Sequence, residues 1–500
     1  MIIFADYSIS PMEAEHPLIK KKVNLFDGIN MVSGAMIGSG IFIVSADIAR
    51  NLGSPGWLIM VWVITGVLTL IGAVCYGELA SMMPCVGGQY VYLRESYHPI
   101  IGFLFGWTTF LVIQCGSIAA VGIAFAKFSG VIFPWIADSN LLFEVGPIKV
   151  TSTVIVAIGL IILLTWLNIQ GIVVGKKVQN IFSSTKVLAL VGFVIVGLIV
   201  MKSLDSWEIN KEVFWSASQI GSDGAKLPLK GFSLITAVGI SLVGALFSAD
   251  AWYDVTFISG EVINPRKNVP LSLLIGTFIV SVLYIIVNYI FIAVLPLHGS
   301  PDGTDAFSRG IQYATDDRVA TSVMEVALGD PAAVIMALLI MISTFGCNHG
   351  LILAGPRVYY AMAADGLFFK RVGKINKNGV PGFAMIIQGI WSILLCLSGT
   401  YSDLLDYVIF AVLLFFTLTI LAIFILRKKR PDEPRPYKAF GYPFIPALYI
   451  LITIAIMVIL LIYKPNYTFP GLFIVFLGVP VYFLWKKFSK EKSVSADKRD

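Results

Sequence analysis

Long apolar runs follow one another along nearly the whole chain, and short polar segments separate them. Twelve runs have about the 20 residues that a helix needs to cross roughly 30 Å of hydrocarbon. They lie approximately at residues 25–49, 56–82, 99–130, 149–168, 177–201, 231–259, 268–296, 330–363, 379–398, 402–426, 441–463 and 467–486. A backbone inside hydrocarbon must satisfy its own hydrogen bonds, and uniformly apolar runs suit helices better than barrel strands. The pattern predicts an all-α integral membrane protein with twelve transmembrane helices, spans one to twelve.

Two of these spans carry an interruption in the middle. Span one contains Gly38-Ser39-Gly40, and span six contains the segment Phe247-Ser248-Ala249-Asp250-Ala251-Trp252. Transporters built from two inverted five-helix halves place a broken helix at the start of each half, and spans one and six are five apart. The alternative is that the small residues only allow close helix packing, as Gly34 and Gly38 at GxxxG spacing would.

A break at residues 38–40 would have a chemical use. An unwound segment frees backbone N–H groups, and the half-helix that follows directs its positive dipole end at the gap, which suits a carboxylate. Ser39 adds a hydroxyl donor. Span six lacks a glycine at its break, because Ala251 precedes Trp252. Trp252, Tyr253 and Asp254 follow in the next turn, where they either line a pathway or pack against other helices.

Composition excludes an ordinary water-soluble protein. Of the 500 residues, 57% are apolar and 13% are charged, whereas soluble domains carry about 25% charged residues. The polar segments are too short to fold alone, so any chemistry must occur among the spans. No cleavage pattern of a signal peptide precedes span one, and no removable signal is expected.

The net charge of +6 follows the loops and gives no reason to expect a nucleic-acid partner. In a twelve-span arrangement the basic clusters fall on one side, and by the positive-inside rule this side is cytoplasmic. The clusters are Lys20–Lys22, Lys176–Lys177, Arg266–Lys267, Lys370–Lys377, Arg427–Arg430 and Lys486–Arg499. The acidic loop at 297–329 falls on the other side. We expect a multi-pass protein of the cell (inner) membrane with both termini cytoplasmic.

Motifs of catalysis and metal binding are missing from the sequence. There is no HExxH, CxxC or nucleotide-binding glycine fingerprint, and there are four histidines. No nucleophile with a base or pair of catalytic carboxylates stands out, so no catalytic residue, cofactor or metal is expected and the chain is not predicted to be an enzyme. The five cysteines lie in or beside spans, so a structural disulfide is not expected either.

Seven short segments carry a resemblance to a known family. They are GSGIF at 38–42, YGELASMMP at 76–84, GGQYVYLRE at 87–95, SSTK at 183–186, GEVINPRKNVP at 260–270, RVYYAMAADGLFFK at 357–370 and RPYKAFGYPFIP at 435–446. Over residues 20–486 the chain resembles the amino acid–polyamine–organocation permeases, and within them the L-type amino acid transporter branch. Each segment alone is weak evidence for the family, but all of them together, in this order, are specific to it.

The resemblance implies a five-plus-five inverted-repeat core of the leucine-transporter-like type, with helices one and six unwound. It divides the chain into a cytoplasmic N-terminal tail at 1–24, a first repeat at 25–201 and a second repeat at 202–426. Two additional transmembrane helices follow at 427–486, and a cytoplasmic C-terminal tail occupies 487–500.

The implied activity is secondary active amino acid transport by alternating access, independent of sodium, as an amino acid exchanger or a proton-coupled permease. A proton-coupled polyamine or other organocation permease is the alternative; a channel is less favoured, because no selectivity-filter motif is present. The implied substrate-binding residues are Ile37, Gly38, Ser39, Gly40, Phe247, Ser248, Ala249, Asp250 and Trp252. In the family the substrate carboxylate meets the break of span one, the amino group meets backbone carbonyls of span six, and Phe247 acts as an outer lid.

Two charged residues inside spans require a reason, since each costs roughly 2.5–3.5 kcal/mol at mid-membrane. Lys186 matches the family position where an ammonium replaces the sodium ion of sodium-coupled relatives, and it is the predicted coupling residue. It is compatible with exchange and with proton coupling, and a purely structural ion pair is the alternative. Asp250 either selects a basic substrate, pairs with an internal base or remains protonated.

Charged residues toward the predicted cytoplasmic ends of spans form a candidate inner gate. They are Glu78, Glu261, Arg357 and Asp365, and the alternative for each is a side chain that reaches the headgroups. Eukaryotic members of the branch are linked to a glycoprotein through a cysteine between spans three and four. Residues 131–148 contain no cysteine, so no disulfide-linked heavy subunit is expected.

Overall fold

A computed structural model describes residues 20–145, 148–220, 226–329, 331–398 and 401–496. The predicted N-terminal tail at 1–24 falls mostly on residues 1–19, which lie outside the described residues. Of the predicted C-terminal tail at 487–500, residues 487–496 continue the last helix, and residues 497–500 lie outside the described residues. The described chain is mostly helical.

The helices follow the apolar runs, with interruptions that matter for the site. The α-helices are α1 (Leu25–Met36), α2 (Gly40–Leu52), α3 (Pro55–Met82), α4 (Gln89–Ser96), α5 (Pro99–Thr108), α6 (Gln114–Ile132), α7 (Ser152–Ile169), α8 (Ile172–Val200), α9 (Ser206–Glu212), α10 (Phe232–Ser248), α11 (Pro265–Val294), α12 (Ala306–Arg309), α13 (Val319–Leu328), α14 (Ala332–Ala354), α15 (Pro356–Ala364), α16 (Gly382–Cys396), α17 (Tyr401–Lys429), α18 (Phe444–Tyr463) and α19 (Pro465–Ala496). A π-helical turn at Thr109–Ile113 joins α5 to α6. Short 3₁₀ segments include Trp252–Thr256 and Ser259–Glu261.

Nine helical stretches within the described ranges are long and apolar enough to cross a membrane. The pair α1 and α2, bent by 42° at their junction, makes a tenth if it counts as one span. The two remaining apolar runs correspond to the shorter helices α10 and α16, of 17 and 15 residues. The chain is therefore a multi-pass membrane protein, and the count of twelve spans stays a prediction.

Two small hairpins add strand structure that the apolar pattern did not predict. The strands are β1 (Leu141–Val145), β2 (Ile148–Thr151), β3 (Ser218–Ile220) and β4 (Lys226–Pro228), paired antiparallel as β1 with β2 and β3 with β4. Strands β1, β3 and β4 lie between the apolar runs, and β2 overlaps the start of the run at 149–168. Water can satisfy the outer edges of such hairpins. The polar segment at 297–329 also contains the helices α12 and α13.

Local sequence signals explain where α2 ends and α3 begins. Gly53 ends α2 with a φ of +52°, a left-handed conformation that glycine adopts without strain. Ser54 then caps α3 by accepting a hydrogen bond from the N–H of Trp57, and Pro55 occupies the first helical position. Three consecutive residues, Gly53, Ser54 and Pro55, therefore specify the turn between spans one and two.

Helix α1 lies at the centre of the bundle and packs against α8, α11 and α14. Its glycines let the neighbours approach: a Cβ at Gly34 would lie 3.1 Å from Ser183 Cβ, and one at Gly28 would lie 3.0 Å from Ser272 Cβ. Small residues at crossing points are the usual way for membrane helices to pack closely. The apolar pattern predicted the span, but the glycines determine how closely α1 packs against its neighbouring helices.

Ion pairs identify the two ends of the bundle. At the end where the chain enters α1, which we call the N-terminal face, the backbone N–H groups of Lys22 and Val23 donate to Glu261 O. The same face carries the pairs Arg357–Glu261, Arg427–Glu78, Arg94–Asp365 and Arg430–Glu95. The opposite face carries Arg50–Asp317 and Lys127–Asp138.

Gly197 and Gly192 on α8 offer a matched test of this packing. A Cβ at Gly197 would overlap the side chain of Ile290 on α11, whereas one at Gly192 would meet nothing within 4 Å. We expect Gly197→Ala to lower the free energy of unfolding by about 1–3 kcal/mol through overpacking. Gly192→Ala should leave it unchanged or raise it by up to ~1 kcal/mol. Thermal unfolding in detergent measures both, and equal effects would contradict the helix contact.

Candidate functional site

The first span is interrupted at the glycine-serine-glycine segment. Helix α1 ends at Met36, Ile37 is extended with a ψ of 93°, and α2 begins at Gly40. The first N–H groups of a helix have no carbonyl partner within that helix, so those at the start of α2 are directed into the gap. They lie at the positive end of the α2 dipole.

Lys186 lies against the carbonyl end of α1. Its ammonium donates to the backbone oxygen of Gly34, to that of Ile37 at 2.7 Å and to that of Ser343 at 3.3 Å. The side chain is buried, at 1% exposure. Backbone carbonyls of α1 and α14 therefore surround the charge, and none of these three partners is a carboxylate.

Side chains from two other helices satisfy the intervening carbonyls of α1. The Cys347 thiol on α14 donates to Ala35 O at 3.0 Å, and the Tyr284 hydroxyl on α11 donates to Met36 O at 3.1 Å. Tyr284 also lies 3.1 Å from Ser248 O, the last carbonyl of α10. Its hydroxyl thus touches the ends of both interrupted helices.

Ser343 is the last of the side chains that donate to the end of α1. Its hydroxyl lies 3.0 Å from Ile37 O and 3.1 Å from Gly38 O. Each backbone oxygen from residue 34 to residue 38 therefore has a side-chain donor. The carbonyl end of the gap is therefore occupied by protein donors, whereas Gly38, Ser39 and Gly40 line a cavity.

Span six is interrupted within its segment Phe247–Trp252. Helix α10 continues through Phe247 and ends at Ser248, and a 3₁₀ segment begins at Trp252. Between them Ala251 has a φ of +64° and a ψ of 5°, in the left-handed region. An L-residue other than glycine pays roughly 1–2 kcal/mol there. The break is thus formed without the glycine that would mark it in the sequence.

The two interruptions meet. A Cβ at Gly40 would lie 2.8 Å from Ser248 Cβ and 3.1 Å from its Cα. Any larger residue at Gly40 would push the start of α2 away from the end of α10. Gly38, by contrast, has space: a Cβ there would meet only Cys347 Sγ, at 3.4 Å.

A cavity of about 390 Å³, partly open to solvent, lies beside this meeting point. It is lined by Ala35, Met36, Gly38, Ser39, Gly40, Ser117, Val121, Phe247, Ser248, Asp250, Ala251, Cys347 and Leu351. Six of the predicted substrate-binding residues therefore share one cavity: Gly38, Ser39, Gly40, Phe247, Ser248 and Asp250. Ile37 is fully buried outside the lining.

Asp250 borders a second space as well. A neighbouring cavity of about 350 Å³ is lined by residues of α3, α10, α17 and α18, together with Ala249, Asp250 and Trp252. Trp252 packs edge-on against Tyr76, with ring centroids 4.8 Å apart. Ala249 and Trp252 thus line the second cavity and are absent from the lining of the first. One carboxyl oxygen of Asp250, Oδ1, is buried without a hydrogen-bond partner in the described part of the chain.

The candidate gate residues take part in three separate contacts. Glu261 and Arg357 form a buried pair with two contacts, of 2.8 and 3.2 Å, which joins the 3₁₀ segment after span six to α15. Glu78 instead pairs with Arg427 of α17 at 2.7 Å. Asp365 accepts from Tyr90 at 2.6 Å and from Arg94 of α4. All three contacts lie at the N-terminal face.

The sequence did not identify three of the side chains that donate to the end of α1, namely Tyr284, Ser343 and Cys347. Tyr284 sits in an apolar run of α11 with no polar pattern around it, so nothing in the sequence distinguished it from a packing tyrosine. Among the described residues no group of three His, Cys, Asp or Glu side chains is arranged to hold a metal ion.

Ala251 provides a direct test of the break in span six. Ala251→Gly should raise the free energy of unfolding by about 1 kcal/mol, because glycine removes the left-handed strain. The control Ala249→Gly lies two residues away at an ordinary φ of −100° and should lower it. The unfolding midpoints of the two variants in detergent give the comparison. A lower midpoint for Ala251→Gly would contradict the left-handed conformation.

Comparison with known proteins agrees with this architecture. The chain matches the model of the amino acid permease family over residues 23–484. It is 28% identical over 494 residues to b(0,+)-type amino acid transporter 1 of Homo sapiens, covering 97% of this chain and 93% of that protein. It is 29% identical over 471 residues to Large neutral amino acids transporter small subunit 2 of Oryctolagus cuniculus, covering 93% and 80%.

These relatives are transporters, not enzymes, and the resemblance seen in the seven sequence segments is confirmed. The chain belongs to the amino acid permease family, within the L-type branch of the amino acid–polyamine–organocation superfamily.

Proposed function

We propose that this protein is a secondary active amino acid transporter that works by alternating access and needs no sodium. The observation that carries the proposal is the cavity at which the start of α2 and the end of α10 meet. The names of the relatives, a b(0,+)-type amino acid transporter and a large neutral amino acids transporter, support this substrate class.

The backbone around the cavity suits a zwitterion. The substrate carboxylate binds the N–H groups at residues 38–40, where the α2 dipole is positive. The ammonium group binds carbonyl oxygens at the end of α10, near Phe247 and Ser248. Because Lys186, Ser343, Cys347 and Tyr284 already occupy the carbonyls of α1, the two ends of the substrate have different places to bind. Phe247 closes the cavity from the opposite face.

The domain division rests on the same reasoning. Residues 25–201 and 202–426 form two inverted five-helix repeats, with α1–α2 and α10 as the unwound first helices, and residues 427–486 add two helices outside the repeats. The N-terminal face, with its basic clusters, is cytoplasmic, so both termini lie in the cytoplasm of a cell (inner) membrane. In this proposal the buried Glu261–Arg357 pair is the gate that closes the cytoplasmic side.

The protein works without a disulfide-linked partner in this proposal. The five cysteines are free, and four of them are buried. One relative is named a small subunit, so co-purification of a second chain after mild extraction is the observation that would overturn this part.

Counterflow in liposomes tests the proposed function. We expect saturable uptake of a labelled amino acid that an unlabelled amino acid inside the vesicle accelerates. Adding a pH gradient separates exchange from proton-coupled uptake. Uptake confined to polyamines would favour the organocation alternative, for which the carboxyl of Asp250 is the supporting feature. Unsaturable ion flux would favour a channel.

Lys186 is tested by removing its charge. Lys186→Met loses charge-assisted hydrogen bonds worth about 1.5–3 kcal/mol each, so exchange should fall at least tenfold. The control Lys177→Met, an exposed residue on the same helix, should exchange like wild type. Wild-type exchange should be equal in sodium and in potassium buffers. Uptake that stops without sodium, or a Lys186→Met variant with wild-type rates, would contradict the proposal.

Asp250 is tested through substrate preference. A carboxylate at the cavity attracts a basic side chain, so Asp250→Asn should lower the ratio of arginine to alanine exchange by at least tenfold, about 1.4 kcal/mol. The exposed Asp302 on the opposite face gives the control Asp302→Asn, whose ratio should equal that of wild type. An unchanged ratio in Asp250→Asn would remove this residue from substrate selection.

A further inference from the structure

Asp254 is a second buried carboxyl group on the segment that carries Asp250. It lies in the 3₁₀ turn Trp252–Thr256, between the cavity and the Glu261–Arg357 pair. Its exposure is 4%. One carboxyl oxygen accepts a hydrogen bond from Gln114 Nε2 at 3.0 Å, and the other has no partner among the described residues.

No cation of the described chain pairs with this carboxyl group. The buried cations nearby are engaged elsewhere, Lys186 with backbone carbonyls and Arg357 with Glu261. Titratable groups that interact electrostatically with Asp254 carry no positive charge; they are Asp250, Tyr253, Cys347 and Tyr359. Other titratable groups on the helices packed against the turn are Asp27, paired with Lys176; Glu78, paired with Arg427; His349, bonded to Gln179; Cys75; Tyr76; Tyr284; and the exposed Arg266, Lys267 and Tyr289 of α11.

Two opposing costs act at this position. Leaving an ionised carboxylate buried without a cation costs several kcal/mol. Protonating an aspartate at pH 7 is also unfavourable, because its carboxyl group ordinarily ionises in water well below that pH. Any change in the hydration of the site therefore changes which form is favoured.

Gln114 links Asp254 to the elements under the cavity. The same Nε2 that donates to Asp254 donates to Leu351 O on α14 at 2.9 Å, and Leu351 lines the cavity. Gln114 begins α6 directly after the π-helical turn Thr109–Ile113. Such turns are frequent at functional sites. Through Gln114 of span three, Asp254 in span six is therefore connected to span eight, on the side toward the N-terminal face.

We propose that Asp254 is a proton-binding site that couples opening of the cavity toward the N-terminal face to the pH on that side. The inference rests on the proposed transport function. In the closed state the carboxyl is buried and neutral; opening hydrates it, and the proton leaves to water as the carboxylate forms. Because the closed state binds the proton more tightly than the open state, acid pH at this face favours closure.

The test is exchange in liposomes containing oriented wild-type protein, with the pH varied only on the side of the N-terminal face. Wild-type exchange should slow as that pH falls, with a limiting slope of tenfold per unit for a single proton. Asp254→Asn, which fixes a neutral side chain, should lose this slope. Asp254→Glu should restore it. The control Asp432→Asn, an exposed residue at the same face, should keep the wild-type slope.

Exchange that does not depend on this pH in wild type, or a full slope in Asp254→Asn, would overturn the inference while leaving the transport function intact. Absence of both exchange and proton-driven amino acid uptake in wild type would instead overturn the function. If Asp254→Asn does not fold, infrared spectroscopy of wild type and Asp254→Glu decides. A carbonyl band of a protonated carboxyl should move between the two proteins, and an unchanged band would overturn the proposal.

Discussion

A helix that ends inside a membrane leaves carbonyl oxygens that neither water nor lipid can satisfy, and the site is organised around this constraint. Helix α1 ends at Met36, in the middle of its span. Five consecutive backbone oxygens there, those of residues 34–38, receive donors from side chains of α8, α11 and α14. Four side chains supply them: Lys186, Cys347, Tyr284 and Ser343. The interruption is thus held open by the surrounding helices and does not depend on a ligand.

This arrangement makes the gap chemically one-sided. The carbonyl end is filled by protein donors, and the N–H end at the start of α2 faces the cavity. A ligand in the cavity therefore meets a region that favours negative charge on the α2 side. The end of α10 lies opposite, within contact distance of Gly40. Main-chain dipoles do not distinguish one substrate side chain from another, so that selection depends on the residues around the cavity, among which Asp250 supplies a carboxyl group.

The same helices connect the cavity to the N-terminal face. The chain runs from the cavity at Asp250, through the 3₁₀ turn that contains Asp254, to the Glu261–Arg357 pair. Further ion pairs at that face join α3 to α17 and α4 to the end of α15. Movement that opens this face must therefore break buried polar contacts, and each broken contact exposes charged groups to water. This is the physical basis for linking opening to ionisation.

The sequence alone determined the membrane class and most of the apolar helices, because apolar length is a local property of the chain. It indicated the family through seven short segments. It predicted interruptions at Gly38-Ser39-Gly40 and within Phe247–Trp252, and the resemblance predicted that Gly38 and Phe247 belong to one site. It could not identify Tyr284, the pairing of Glu78 with Arg427, or the bond between Gln114 and Asp254, since their partners lie 140 or more residues away along the chain. The left-handed Ala251 was equally hidden, because alanine favours an ordinary helix by itself. Only the packing of α1 against α8, α11 and α14 decided which polar side chains meet the broken ends, since hydrogen bonds require contact within about 3.2 Å and the sequence gives no such distances.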